Sequence, residues 1–249
     1  IVSGNVEFSV NVTAGTNPTS GVVIEIAGVN YTMTPTNSSV LNNNMIAYYN
    51  FDQNVSLGNN ITDVLGIAPP GVPIRNVSMV PGLLNNATRF KRNLSFGANG
   101  AAINLSNHSI WNSFGGGMTV AVWINSSTNL GGGILGKDRG TSNRSFYFSD
   151  TGSVQINGVA IINPNCTGII NSLNNSWRLM IFTGNLTNGW HTYLNGTIDC
   201  GKNTWTAPNS NTGSVYIGAR HYSFTNDPNE FSNATLDEMI IWNRSITPA

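Results

Sequence analysis

Apolar residues in this chain recur at every second position over short runs and almost never with helical spacing. Val6, Phe8, Val10 and Val12 alternate with Glu7, Ser9, Asn11 and Thr13, the period of a strand with one buried and one solvated face. Val22–Ala27 repeats the pattern with Ile24 and Ile26 opposite Glu25, and Tyr31 and Met33 alternate with Asn30, Thr32 and Thr34. Gly, Asn, Pro and Thr bound each run, as they do in sandwiches built from many short strands. The spacing predicts an all-β chain of a dozen or so strands without internal repeat. Met118–Asn125 and Trp177–Thr183 are almost continuously apolar, which predicts central strands buried on both faces. Tyr193-Leu194-Asn195-Gly196-Thr197-Ile198 reads as a hairpin with Asn-Gly at its tip. Met45–Phe51 and the stretch marked by Phe90, Leu94 and Phe96 read as further strands, as do Val215–Ala219 and Leu236–Trp242. Residues 54–87 read as a long loop-rich excursion.

Residues 1–40 form a separate three-strand unit in this reading, joined through the Asn/Ser/Thr-rich stretch 36–44 to a larger unit at 41–249. Three strands do not close a sandwich, and their edges call for cover or a partner.

Asn-x-Ser/Thr recurs eighteen times: at Asn11, Asn30, Asn37, Asn54, Asn60, Asn76, Asn86, Asn93, Asn104, Asn107, Asn125, Asn143, Asn165, Asn174, Asn185, Asn195, Asn233 and Asn243. With 39 Asn and 47 Ser plus Thr, random placement gives roughly seven matches to this acceptor motif. The excess points to covalent N-glycans on a secreted or cell-surface protein. Only 9% of residues are charged, against about 25% in ordinary soluble domains. A net charge of zero leaves no electrostatic footprint for nucleic acid or anionic lipid. No apolar run reaches the ~20 residues of a membrane span. The chain starts Ile1-Val2-Ser3 and ends Pro248-Ala249, as expected of a mature product or a piece of something longer, with any signal or anchor outside it. Cys166 and Cys200 are expected to form one disulfide in an exporting compartment, worth ~3–4 kcal/mol; two buried free thiols are the alternative.

Eight segments in order carry a family resemblance: MIAYYNFD (45–52), GLLNNATRF (82–90), MTVAVWIN (118–125), GGGILGKDR (131–139), SWRLMIFTGN (176–185), WHTYLNGT (190–197), VYIGAR (215–220) and LDEMIIWNRSIT (236–247). They resemble the laminin-G-like jelly roll of the concanavalin A-like superfamily, over about residues 45–247. The resemblance implies a jelly-roll sandwich whose first and last strands lie side by side, bringing Asp52 near Asp237. Residues 1–40 resemble the Ig-like or cadherin-like segments that flank such domains.

Glycoside hydrolysis needs two carboxyl groups about the scissile bond. The superfamily's glucanases carry Glu-x-Asp-x-x-Glu on one strand, and none of Glu7, Glu25, Glu230 or Glu238 sits in that pattern. Asp237-Glu238 is an adjacent pair, but neighbours on a regular strand face opposite ways. His108, His191 and His221 lack metal-ligand spacing, and no Gly-x-Ser-x-Gly elbow or phosphate loop is present. No catalytic residue is expected. The resemblance implies a structural Ca²⁺ as a weaker expectation, with Asp52 and Asp237 as ligands; the alternative pairs them with Arg89, Arg220 or backbone amides. Carbohydrate recognition uses aromatic platforms, and Trp111, Trp205, Tyr222 and Phe224 lie in loop-like contexts. The last three fall in 203–232, the longest sequon-free loop-rich stretch, which is therefore the expected binding face. The reading that results is a non-catalytic structural or adhesive subunit of an extracellular glycoprotein or filament. Its partners would be copies of itself, other surface-layer or filament proteins, or glycans. A carbohydrate-binding module is the alternative.

Overall fold

The computed structural model of the chain describes residues 22–26, 29–33, 44–55, 59–75, 77–92, 100–126, 132–139, 143–162, 175–220, 228 and 230–246. Two compact units emerge, Ile1–Met45 and Ile46–Ala249.

In the first unit β1 (Val22–Ile26) and β2 (Val29–Met33) form an antiparallel hairpin. Its register sets Ile24 opposite Tyr31, Val22 opposite Met33 and Ile26 opposite Val29, with Glu25 facing Asn30. The phase of Val22, Ile24, Ile26, Val29, Tyr31 and Met33 is wholly apolar, and the other holds Val23, Glu25, Asn30 and Thr32, as a period of two requires. A two-strand ladder is common to every antiparallel fold and carries no Ig-like signature. The expected strand at Val6–Val12 lies outside the described residues.

The second unit runs β3 (Met45–Tyr49), β4 (Val72–Ile74), β5 (Ser78–Pro81), β6 (Asn86–Arg89), β7 (Ala102–Asn104), β8 (Gly117–Asn125), β9 (Gly133–Arg139) and β10 (Asn143–Ser149). It continues with β11 (Val154–Ile156), β12 (Val159–Ile162), β13 (Arg178–Asn185), β14 (Gly189–Leu194), β15 (Thr197–Lys202), β16 (Val215–Ile217) and β17 (Thr235–Trp242). A short 3-10 helix, Ser109–Asn112, precedes β8. The strands make two sheets: β12-β11-β10-β9-β16-β7-β4, and β15-β14-β13-β8-β17-β6-β5 with β3 also paired to β17. The first and last strands of the unit thus lie together, as the jelly-roll resemblance implied. β8 and β17 sit at the centre of the eight-stranded sheet with rows of core residues, Met118, Val120, Val122 and Ile124 in unbroken alternation on one and Leu236, Met239 and Ile241 on the other, all buried. Across the sandwich Phe148 stacks within 5.0 Å of Phe182 and 5.8 Å of Trp190, joining the sheets by ring contacts that prefer such offset geometries.

Two Asn-Gly turns fix hairpin register. Asn195 and Gly196 have φ of 49° and 78°, and Asn157 and Gly158 between β11 and β12 have 54° and 80°. Positive φ at both centres is the twist-matched turn that Asn-Gly favours.

Two expectations need correction. β8 is buried on both faces only over its first half; Ala121, Trp123 and Asn125 are partly exposed, and β13 alternates similarly. Their continuous apolarity reflects an apolar outer face of the sheet, not a covering layer. The excursion at 54–87 contains β4, β5 and the start of β6, three- and four-residue strands too short for a periodic signal. Phe90, just beyond β6, is buried; Leu94 and Phe96 lie outside the described residues.

Candidate functional site

The carboxylates expected to hold a cation meet at the β3–β17 seam, where they hold a turn. Asp237 is fully buried and its Oδ2 accepts the N–H groups of Leu83 (2.9 Å) and Leu84 (3.1 Å). Asp52 Oδ1 accepts Asn86 N–H at 2.9 Å, and its Oδ2 accepts the Asn50 amide at 2.9 Å. Together they bind the turn between β5 and β6 from both sides. Gly82 starts that turn, and a Cβ there would lie 2.7 Å from Asp237 Oδ2 and from Asn86 O, so only glycine lets the chain close on the carboxylate.

A bulge in β17 adds a third acid. The register with β8 shifts between Asp237 and Ile240, and Glu238 adopts φ 50°. The bulge breaks strict alternation, so the expectation that Asp237 and Glu238 simply oppose one another does not hold. Tyr48 Oη donates a hydrogen bond to Glu238 Oε2. Burial, reinforced by Asp237 and Asp52, pushes Glu238 up to about 7. Burial, only partly offset by the turn amides, pushes Asp237 up to about 6. Tyr48 is raised as well, by burial and then by its bond to Glu238. A carboxyl protonated near neutrality has the property of a general acid, but its partner here is a neighbouring strand's phenol. Asp52 and Asp237 face N–H donors, polarity opposite to a cation's oxygen shell. Among the described residues no group of three His, Cys, Asp or Glu is placed to hold a metal. Asp237 Oδ1, the oxygen not engaged by the turn, is buried with no hydrogen-bond partner.

The sequon-free stretch 203–232 also turns out to be structural where it is described. Arg220, at the end of β16's strand segment, stacks on Tyr147 at 3.9 Å from ring centroid and places Nε 2.7 Å from Glu230 Oε2. Its Nη1 donates to Gln155 Oε1 at 2.8 Å and lies 3.9 Å from Asp138 Oδ2. The side chains of Arg220 and Asp138 are 6% and 2% exposed, so this pair is buried, while Glu230 at the edge of the network is 35% exposed. Burial pushes Asp138 up to about 6 despite Arg220. Phe231 joins Ala102, Tyr216 and Ala219 in a small second cluster. Trp205 stacks on core Trp190, centroids 5.0 Å apart and planes at 23°, an anchor for its loop. Trp111 is fully buried and is no platform. Tyr222 and Phe224 lie outside the described residues. Sequence reasoning missed this network because Asp138, Gln155, Arg220 and Glu230 are scattered along the chain.

Sequons occupy the opposite kind of position. Ten acceptor asparagines have described side chains: Asn54, Asn60, Asn86, Asn104, Asn107, Asn125, Asn185, Asn195, Asn233 and Asn243, and all are exposed or half-buried. Asn104, Asn185 and Asn195 accept backbone N–H groups through Oδ1, while Nδ2 is the atom a glycan would occupy. Asn11, Asn37, Asn76, Asn93, Asn165 and Asn174 lie outside the described residues, as do the side chains of Asn30 and Asn143. Cys200 is half-buried on β15 and packs against the core; Cys166 lies outside the described residues.

Residues 97–249 match the Laminin_G_3 family model, described as concanavalin A-like lectin/glucanases superfamily. The chain belongs to that family. Among solved structures it is similar to domain 4 of an extracellular GH43 arabinanase from Geobacillus stearothermophilus in complex with arabinotriose, at TM-score 0.53 and 16% identity, covering 82% of this chain and 94% of that one. It is similar to the binding domain of Paraclostridial Mosquitocidal Protein 1, at TM-score 0.55 and 14% identity, covering 84% and 51%. It is also similar to botulinum neurotoxin type C, in a structure concerned with interaction with two ganglioside molecules, at TM-score 0.54 and 12% identity, covering 83% and 49%. The chain spans about half the length of these two toxin chains. At such identities the likeness shows the fold. No curated protein matches the sequence.

Proposed function

We propose that this laminin-G-like chain is a non-catalytic structural or adhesive subunit of a heavily N-glycosylated extracellular protein. The observation that carries the reading is the sequon distribution: every described acceptor is outside the core. The hairpin β1–β2 supplies the assembly element. The three strands expected in residues 1–40 do not close a sandwich, and their edges suit strand addition from a second copy. Other surface-layer or filament proteins fit the same chemistry. Glycopeptide mass spectrometry tests the coat, and the same digest without reduction tests the Cys166–Cys200 bridge. Electron microscopy of the secreted protein tests the assembly: oligomers or filaments that disappear when residues 1–40 are deleted support it. A glycosylated protein that stays monomeric with or without those residues would overturn it.

Carbohydrate binding is the second reading, favoured by neighbours whose structures contain arabinotriose or concern gangliosides. Trp205, Tyr222 and Phe224 are its residues on the sequon-free stretch. Glycan-array binding lost on Tyr222→Ala and Phe224→Ala supports it, and binding indifferent to both would sink it.

A further inference from the structure

On the face of the eight-stranded sheet turned away from the core, β14 presents His191 and Tyr193, with ring centroids 6.4 Å apart and planes inclined at 51°. With Thr187, Asn188 and Asn203 they line an open pocket of about 310 Å³. The pocket is built. His191 Nε2 lies 2.7 Å from Asn188 O, which fixes the ring. A Cβ on Gly201, its cross-strand neighbour, would stand 2.2 Å from His191 Nδ1, so glycine is what lets the imidazole lie against β15. Gly189 has φ 73°, and a Cβ there would meet Lys202 O at 2.2 Å, so the turn that carries Thr187 and Asn188 also depends on glycine.

Among the described residues the lining holds no carboxylate, lysine or arginine. Two aromatic faces beside two amides and a hydroxyl match a neutral sugar, whose C–H face stacks on rings while its hydroxyls take amide hydrogen bonds. The volume lies at the small end of the roughly 300–1,000 Å³ of small-molecule sites. Asn185 marks the rim: its Oδ1 accepts Thr187 N–H at 2.9 Å and Asn188 N–H at 2.7 Å, and Thr187 is both the third residue of that sequon and part of the lining.

We propose that the His191–Tyr193 pocket binds a neutral saccharide unit, either the chain's own glycan rising from Asn185 or a glycan from another molecule. For the own-glycan source the proposal rests on the glycosylation reading above; for the other it does not. The test uses full-length secreted protein, Asn185→Gln, and Tyr193→Ala with Asn203→Ala as a milder second variant. Because Asn185 Oδ1 also holds the turn, the readout is the part of the Asn185→Gln melting shift seen in glycosylated but not in glycan-free protein: if the own glycan sits there, that excess is present in wild type and vanishes in the Tyr193→Ala or Asn203→Ala background. If the site takes outside glycans, N,N′-diacetylchitobiose or methyl mannoside titrated into glycan-free wild-type protein shifts the His191 and Tyr193 ring resonances, with a Kd on the order of millimolar that Tyr193→Ala weakens about tenfold. Additive melting shifts together with no saturable resonance change for either sugar overturn the proposal. Glycopeptides showing Asn185 bare overturn its glycosylation alone and leave the titration to decide the pocket.

Discussion

The two outer faces of the sandwich spend a small supply of polar side chains in opposite ways. On the seven-stranded sheet, register aligns Tyr147 with Gly136, Tyr216 and Asn104, and Tyr147 with Gln155. Arg220 lies across this face and joins Asp138, Gln155 and Glu230. On the eight-stranded sheet, one row runs Ile240, Ala121, Ile181, Tyr193 and Ile198 without a charge. The contrast teaches where recognition has room. A face whose charges are buried and mutually paired is occupied with its own stability, whereas a half-exposed apolar and neutral-polar face leaves its groups for contacts. Of the stretch favoured for binding, 203–232, Arg220 and Phe231 belong to the first kind, while residues 203–210 are exposed or half-buried.

The largest effect that sharpens the comparison is loss of Arg220. Arg220→Ala leaves Asp138 buried without its cation, and breaking such a pair costs about 3–5 kcal/mol. Urea denaturation should show that loss, and adding Asp138→Asn should recover part of it by removing the stranded charge. A loss under about 1 kcal/mol would mean the network behaves as an exposed one, and the distinction between faces would collapse.

Next in size is the pH response. The folded-state values of Asp138 and Asp237, about 6, and of Glu238, about 7, all lie above the ordinary carboxylate range. A raised folded value means the native state holds protons that the unfolded chain has already released. The stabilisation is full below about pH 4 and is lost as pH rises through 6 to 7. For the two aspartates it is on the order of 2–3 kcal/mol each. Burial lowers Lys137 to about 8, which has the opposite sign: stability returns as pH rises from 8 toward the ordinary lysine value. Melting temperature should therefore pass through a minimum near pH 7–8 and rise toward pH 4.5. The acid limb should shrink in Asp138→Asn and Asp237→Asn separately, one from each side of the sandwich. A flat profile from pH 4.5 to 8 would remove the claim that both sheets bury acids whose partners only partly offset their burial.

How much of this was legible in the sequence follows from range. β8, β13, β17 and the Asn195-Gly196 hairpin were readable because their information is local: apolar phase, length and turn chemistry within ten residues. β4 and β5 were not, since three or four residues with a proline carry no period. The nearness of Asp52 to Asp237 was implied only through the family's strand order, and what they hold, the N–H groups of Leu83, Leu84 and Asn86, is decided by backbone direction. The Arg220 network joins positions up to ninety residues apart, and in a charge-poor chain each of its members reads alone as a surface residue. The bulge at Glu238 has no sequence mark of its own.

A smaller effect is expected on the apolar face. Trp123 is half-buried there, aligned with Asp237 and Leu179. Trp123→Ala should cost about 1–2 kcal/mol, less than the 3–5 kcal/mol of a fully buried aromatic, because part of the ring is already in water. The midpoint of urea unfolding gives the number. Equality with the Arg220→Ala loss would show that this face is core in all but accessibility, and would argue against its having contact surface to spare.

The smallest effects, and the ones that test the coat against the fold, come from the sequons. Asn107 and Asn60 are exposed, so Asn→Gln at either should move unglycosylated protein by no more than about 0.5 kcal/mol. Asn195 differs. Its left-handed φ of 49° and its Oδ1 bond to Leu179 N–H at 2.9 Å tie the β14–β15 turn to β13, so Asn195→Gln should cost about 1 kcal/mol even without sugar. Comparing the three variants in glycosylated and glycan-free protein separates the amide's role in the fold from the glycan's. If Asn195→Gln is as silent as Asn107→Gln in the glycan-free form, the turn does not depend on its asparagine, and that residue is there only for its sugar.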